Sequence, residues 1–251
     1  MTFVRPLIVL AGLIVVWQLV VWLTGLPPFI LPSPTKVAQA LVERADVIGP
    51  HALTTLIEIL LGLALGTLVG AASALVIAYF APARRWFLPI LVISQAIPVF
   101  ALAPLLVLWL GYGLASKVAM ATLIIYFPVT ASFYDGLRRT DPGFLDLART
   151  MNASRLAILA RIRIPAAMPA FGSGLRVAAA VAPIGAVIGE WVGSSAGLGY
   201  LMLHANGRMQ IDLLFAALVV LATLAVLLYF AIDAVLKRAL VWLPDTHASS
   251  D

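Results

Sequence analysis

No cysteine occurs among the 251 residues, which excludes disulfides, thiolate nucleophiles and sulfur-ligated metal. Histidine is nearly as scarce: His51, His204 and His247 stand far apart in sequence, so no metal site is expected. Charge is sparse too, at 11% of residues against the roughly one-quarter of an ordinary soluble domain. No hydrophilic stretch is long enough to fold by itself, and no Gly-x-x-x-x-Gly-Lys-Ser/Thr phosphate loop is present. The chain is therefore not expected to be an enzyme, and any energy it uses must come from elsewhere.

What fills the chain instead is apolar sequence, 63% of residues, with a mean hydropathy of +1.08. Six segments have spanning length: Leu7–Leu23, Ile59–Phe80, Trp86–Leu110, Val118–Tyr134, Ala170–Gly189 and Leu213–Ile232. Backbone groups in lipid must bond within their own segment, so each is predicted to be a helix. The expected fold is an all-α polytopic membrane protein with six transmembrane helices, one domain over residues 1–251. The first segment starts like a signal peptide, but its run is long and Thr24–Pro28 offers no small-x-small cleavage site, so it is expected to remain as a span.

The net charge of +5 would suggest nucleic acid in a soluble protein, yet here the basic residues fall in short loops, where they set topology. With the N-terminus inside, eleven basic residues face the cytoplasm: Arg5, Arg84, Arg85, the six arginines of 138–163, Lys237 and Arg238. Four face out: Lys36, Arg44, Lys117 and Arg208, with Arg176 inside a span. The bias predicts both termini and residues 138–165 in the cytoplasm, and the basic excess needs no nucleic-acid partner. Trp22, Trp86, Trp109, Trp191 and Trp242 sit at or just beyond span ends and read as headgroup anchors.

Local patterns add detail. Pro27, Pro28, Pro32 and Pro34 predict an extended outer loop, followed by a short amphipathic helix over Thr35–Arg44 lying at the outer surface. Gly62, Gly66 and Gly70, continued by Ala74, bare one face of the second helix for close packing, within the subunit or against another. Pro89, Pro98 and Pro104, with Ser94 and Gln95, predict a bend or break in the third span, either lining a path or purely structural.

Residues 138–165 form a polar island of 28 residues with six arginines between the fourth and fifth spans. Asp141-Pro142 reads as a helix cap followed by a first-turn proline, and the helix is expected to stop at Asn152, which tolerates left-handed geometry. A second short helix, Ala153–Ile162, is predicted next, with Pro165 punctuating the return to the membrane. The island thus reads as a helix–turn–helix in the cytoplasm.

Here the chain resembles the permease subunits of binding-protein-dependent ABC importers. Their cytoplasmic loop carries Glu-Ala-Ala, three residues, Gly, nine residues and Ile-x-Leu-Pro. This chain has Asp146-Leu147-Ala148, then Arg149-Thr150-Met151, Asn152 in the glycine place, nine residues, and Ile162-Arg163-Ile164-Pro165. The register is full; the identities depart at Asp for Glu, Leu147 for Ala, Asn for Gly and Ile164 for Leu. The resemblance implies a coupling helix docking on separate ATPase subunits, with Asp146, Ala148, Asn152, Arg155, Ile162 and Pro165 as its carriers. It also implies an extracytoplasmic solute-binding protein, a second copy of the permease, and ATP and magnesium held by the ATPase. Leu31-Pro32-Ser33-Pro34, Gly189–Gly193 and Gly197–Tyr200 look like the branch importing alkanesulfonates, taurine, nitrate or thiamine-pyrimidine precursors. The last two stretches lean toward the pyrimidine precursor.

Two rivals come from other classes: a membrane scaffold without transport, and a serine hydrolase. The hydrolase rests on Gly193-Ser194-Ser195-Ala196-Gly197 with His204 nearby, a pattern that needs a strand-to-helix elbow. Charges in lipid cost on the order of 3 kcal/mol, so Arg176 and Glu190 should face protein or water. With Gln95 and, more weakly, Glu58, they are the translocation-path candidates; a structural ion pair is the alternative for Arg176.

Overall fold

A computed structural model describes residues 4–242, with side chains from residue 8 onward. The side chain of Arg5 and the whole of His247 lie outside that range. Among the described residues every element is helical.

The chain runs α1 (Val4–Thr24), α2 (Pro34–Glu43), α3 (Ala45–Tyr79), α4 (Ala81–Ala96), α5 (Val99–Leu110) and α6 (Leu114–Arg138). After these come α7 (Pro142–Thr150), α8 (Arg155–Ile158), a π-turn over Leu159–Arg163, α9 (Ile164–Gly193), α10 (Leu198–Gly207) and α11 (Ile211–Ala239). Among the described residues, four helices are long and apolar enough to cross a bilayer: α3, α6, the helix ending in α9, and α11. The third predicted span is broken: α4 and α5 meet at 100° across Ile97-Pro98. Pro98 cannot donate a backbone bond and holds the residue before it out of helical geometry, which ends α4 there. Among the described residues this gives four unbroken spans, or five if the bent pair counts as one, with the shorter apolar helix Ile8–Thr24 beside them.

Helix α6 is the hub, packed between α3 and α9. Small residues on both partners let the backbones approach. A methyl group at Gly62 would run into Ala121 on α6; one at Gly66 would come 2.6 Å from Ile125, and one at Gly70 2.8 Å from the Tyr126 carbonyl. From the other side, a methyl at Gly185 on α9 would lie 2.6 Å from Ala121 Cα. The glycine row of α3 therefore serves packing within this chain, around a buried seam of Ile59, Leu63, Ile125, Val129 and the alanines 178, 179, 182 and 186.

Two helices begin earlier than their apolar runs suggest. Helix α3 starts at Ala45, because His51 and Thr55 in its polar opening are bonded to the loop before α10. Helix α6 starts at Leu114 and carries Lys117 into the interior, where sequence placed it in an outer loop. Helix α2 forms as predicted, capped by Ser33, and its apolar face, Val37 and Ala40, packs into a core with α10 and α11.

Candidate functional site

Asp141 caps α7: its Oδ1 accepts the Gly143 N–H at 2.7 Å, and Pro142 fills the first turn. Helix α7 ends in a Schellman turn, with Asn152 N–H bonded to the Arg149 carbonyl at 2.9 Å and Ala153 N–H to that of Ala148 at 2.9 Å. Asn152 has φ of 57°, so it adopts the left-handed geometry for which the loop pattern uses glycine. Ser154 then caps α8 by accepting the Ala157 N–H at 3.2 Å.

Past that point the structure corrects the expected second short helix. Residues Arg155–Gly193 form one helix of 39 residues, continuous through Pro165. Proline lacks an N–H and its ring crowds the carbonyl four residues back, here Arg161. The π-turn over Leu159–Arg163 widens the ladder by one residue at that place, with Ile164 N–H bonding to the Leu159 carbonyl, and the helix passes without a break. Leu159 is buried among Ala74, Ile77, Phe133, Leu137 and Ala167, which fastens the segment to α3, α6 and α9.

The two faces of α7 differ. Ala148 is buried against the body, while Phe144, Leu147 and Met151 stand 62%, 59% and 74% exposed. Asp146 and Arg149 pair on the surface at 2.8 Å. Arg155 is exposed, Ile162 is half-buried in the π-turn, and Pro165 lies on the open side of the helix. Sequence reading singled out Asp146, Ala148, Asn152, Arg155, Ile162 and Pro165 and missed the apolar stripe, although its spacing of three then four residues within a polar island was the available signal.

At the opposite end lies a second constellation. Glu58 and Glu190 are 0% and 1% exposed, inside the helix packing. Lys117 Nζ sits 3.2 Å from Glu58 Oε1. Thr55 Oγ1 donates to Glu190 Oε1 at 2.6 Å and accepts the Leu198 N–H at 2.7 Å, and Gly199 N–H donates to Glu190 Oε2. His51 Nδ1 accepts the Gly197 N–H at 2.9 Å. Gly197, at φ of 111°, lies where any side chain would meet the Glu190 carboxylate. The network binds α3, α9 and the loop entering α10 into one unit.

The remaining candidates are placed apart. Arg176 Nε donates to Asp233 Oδ1 on α11 at 2.7 Å, and Asp233 Oδ2 meets Lys237 at 2.8 Å, an ion-paired clasp between α9 and α11. Gln95 is exposed at the end of α4, beside the break, next to Ser94, which shares a short hydrogen bond with the Tyr126 hydroxyl. At the hydrolase-like stretch, helix α9 runs directly into a turn closed by Ser194 and Ala196, with no strand before it, and His204 Nδ1 is engaged with the Tyr200 carbonyl at 3.1 Å. The elbow and the poised base that nucleophilic catalysis requires are not built there.

Residues 62–241 match the family model described as the binding-protein-dependent transport system inner membrane component. The chain is 57% identical over 238 residues to a probable ABC transporter permease protein of Haemophilus influenzae, covering 95% of this chain and 97% of that one. It is 35% identical to the formylaminopyrimidine transport permease ThiX of Halalkalibacterium halodurans, over 95% of each chain. It is 38% identical to the riboflavin transport permease RibX of Chloroflexus aurantiacus, over 91% of this chain and 86% of that one. Among solved structures, the MetNI methionine ABC transporter in an inward-facing form shares the fold, with a TM-score of 0.69 at 20% identity over 79% of this chain and 98% of that one. The chain belongs to the inner-membrane components of binding-protein-dependent transport systems and is the permease subunit of an ABC importer.

Proposed function

We propose that two copies of this permease enclose the solute path, that two ATPase subunits dock on their Asp141–Pro165 segments, and that a binding protein delivers the solute from outside. The observation that carries the reading is the stripe Phe144, Leu147 and Met151 on α7, apolar and uncovered on a segment otherwise built for water. Such a stripe fits a groove in a partner. Asp146 and Arg149 stand beside it on the same helix as an exposed ion pair. ATP and magnesium belong to the partner ATPases.

Transmission follows from the continuous helix Arg155–Gly193. ATP-driven closure of the ATPases draws the two segments together, and the helix carries the displacement as a rigid body to Glu190, which holds the outer loop through Gly199. Six crossings follow if α1 and the bent α4–α5 pair each count as one, with both termini in the cytoplasm. Gln95, exposed beside the broken helix, is the residue assigned to the path, as irregular backbone at membrane depth is tolerated where it lines a cavity.

For the solute, the stretches Gly189–Gly193 and Gly197–Tyr200, and the relative named for formylaminopyrimidine, support a thiamine-pyrimidine precursor. The relative named for riboflavin favours a second planar nitrogen heteroaromatic, and both readings rank above a sulfonate, taurine or nitrate.

The chain has no native cysteine, so a single Leu147→Cys reports cleanly. Cross-linking in native membranes is expected to capture a P-loop ATPase. A control cysteine at Leu227, exposed on α11, is expected to capture none. Equal yields at both positions would overturn the docking assignment, and calorimetry of the cognate binding protein against the two heteroaromatics and taurine tests the solute separately.

A further inference from the structure

We infer that the groove between the cytoplasmic end of α3 and the coupling segment is a binding site for a phosphate group, filled in the membrane by the headgroup of an acidic phospholipid. A cavity of about 430 Å³ there is lined by Arg149, Arg155 and Arg163 over a floor that includes Ala78, Tyr79 and Leu159. A smaller cavity of about 90 Å³ adjoins it, sharing Ala78 and Arg163 and adding Arg84 and Arg138. Two of these arginines have carboxylate partners: Arg149 with Asp146 at 2.8 Å, and Arg138 with Asp135 at 3.8 Å. Among the described residues, Arg84, Arg155 and Arg163 have none.

The decisive atom is Arg163 Nε, which is buried and has no hydrogen-bond partner. A positive-inside loop explains arginines that reach water, but not a guanidinium N–H withdrawn from water and left unbonded. That N–H meets an acceptor in the cavity once the Arg163 side chain turns toward it, the movement an anion bound there would favour. Guanidinium groups match phosphate oxygens in paired bonds, and several converging on one cavity suit a multi-oxygen anion better than a single carboxylate.

A lipid source is argued from position. Tyr79, exposed, lines the cavity, and the exposed Phe80 and Trp86 follow it at the α3–α4 junction and in the first turns of α4, aromatic rings that mark the headgroup level. Basic pockets between helices at that level take acidic headgroups. The inference is independent of which solute is carried.

The test uses the full chain in nanodiscs of phosphatidylcholine alone or with phosphatidylglycerol, read by native mass spectrometry and thermal midpoint. Wild type is expected to retain phosphatidylglycerol and to melt higher in its presence. The double variant Arg84→Gln/Arg163→Gln is expected to lose retention by roughly tenfold or more, with Arg163→Lys intermediate. Millimolar inorganic phosphate added to phosphatidylcholine discs separates the sources: if it raises the midpoint of wild type only, while phosphatidylglycerol is not retained, the site stands and its ligand is free phosphate. Unchanged retention in the variants with no effect of phosphate would overturn the site. So would unchanged retention together with lost ATPase binding, which would give these arginines to the protein partner. Should the double variant aggregate, Arg84→Gln alone and Arg163→Lys read the same outcomes.

Discussion

Thr55 on α3 donates its hydroxyl to Glu190 on α9 over 2.6 Å, across 135 residues of sequence, and with the same oxygen accepts the Leu198 N–H. One hydroxyl thereby satisfies a buried carboxylate and a loop amide. Thr55→Val keeps the shape and removes both bonds, leaving two buried groups unpaired, so a loss of about 1–3 kcal/mol is expected. Thermal unfolding in detergent checks it; Thr55→Ser, which keeps the hydroxyl, should melt close to wild type.

Lys117 and Glu58 form a buried pair at 3.2 Å. Removing one partner strands the other, so Lys117→Met is expected to destabilise by about 3–5 kcal/mol. Adding Glu58→Gln to that variant should recover much of the loss. A double-mutant cycle on the unfolding midpoint measures the coupling, and additive losses would show that the pair contributes nothing.

Ala121 is approached from both sides, by Gly62 and by Gly185. Gly185→Val forces its Cβ toward the Ala121 backbone, with an expected loss of about 1–3 kcal/mol from overpacking. Gly207→Ala, at the end of α10 with nothing within 4 Å, should leave the midpoint unmoved or slightly raised. Gel-filtration yield and thermal midpoint together distinguish the two.

Asn152 at φ of 57° sets the angle between α7 and the helix leading to α9. Asn152→Gly should preserve uptake. Asn152→Val faces the left-handed penalty of about 1–2 kcal/mol and should lower uptake more than membrane insertion. Vesicle transport, normalised to inserted protein, reads the difference.

The local signals in this chain were legible wherever the chemistry is local. Asp141-Pro142 announced a capped helix, Asn152 announced its stop, and Pro89, Pro98 and Pro104 announced a bend or break in the third span, which falls at Pro98. Where a partner lies far along the chain, the signal failed. Lys117 looked like an outer-loop charge because its carboxylate, Glu58, is on another helix, and the bonds that Glu190 makes to Thr55 and the Gly199 amide are brought together only by the fold. Pro165 looked like a helix stop because a π-turn, which absorbs the missing N–H, has no composition of its own. The stripe Phe144, Leu147 and Met151 was hidden by the arginines around it, although its helical spacing was present.

The most direct measurement is uptake together with ATPase activity in proteoliposomes carrying Phe144→Asp or Leu147→Asp, each with its ATPase and binding protein. These side chains are mostly exposed, so insertion and thermal midpoint should stay close to wild type. Solute uptake should fall by roughly tenfold or more, as expected when a charge is forced into an apolar docking site, and ATPase subunits should no longer copurify. Wild-type uptake with full ATPase recovery in both variants would contradict docking through α7.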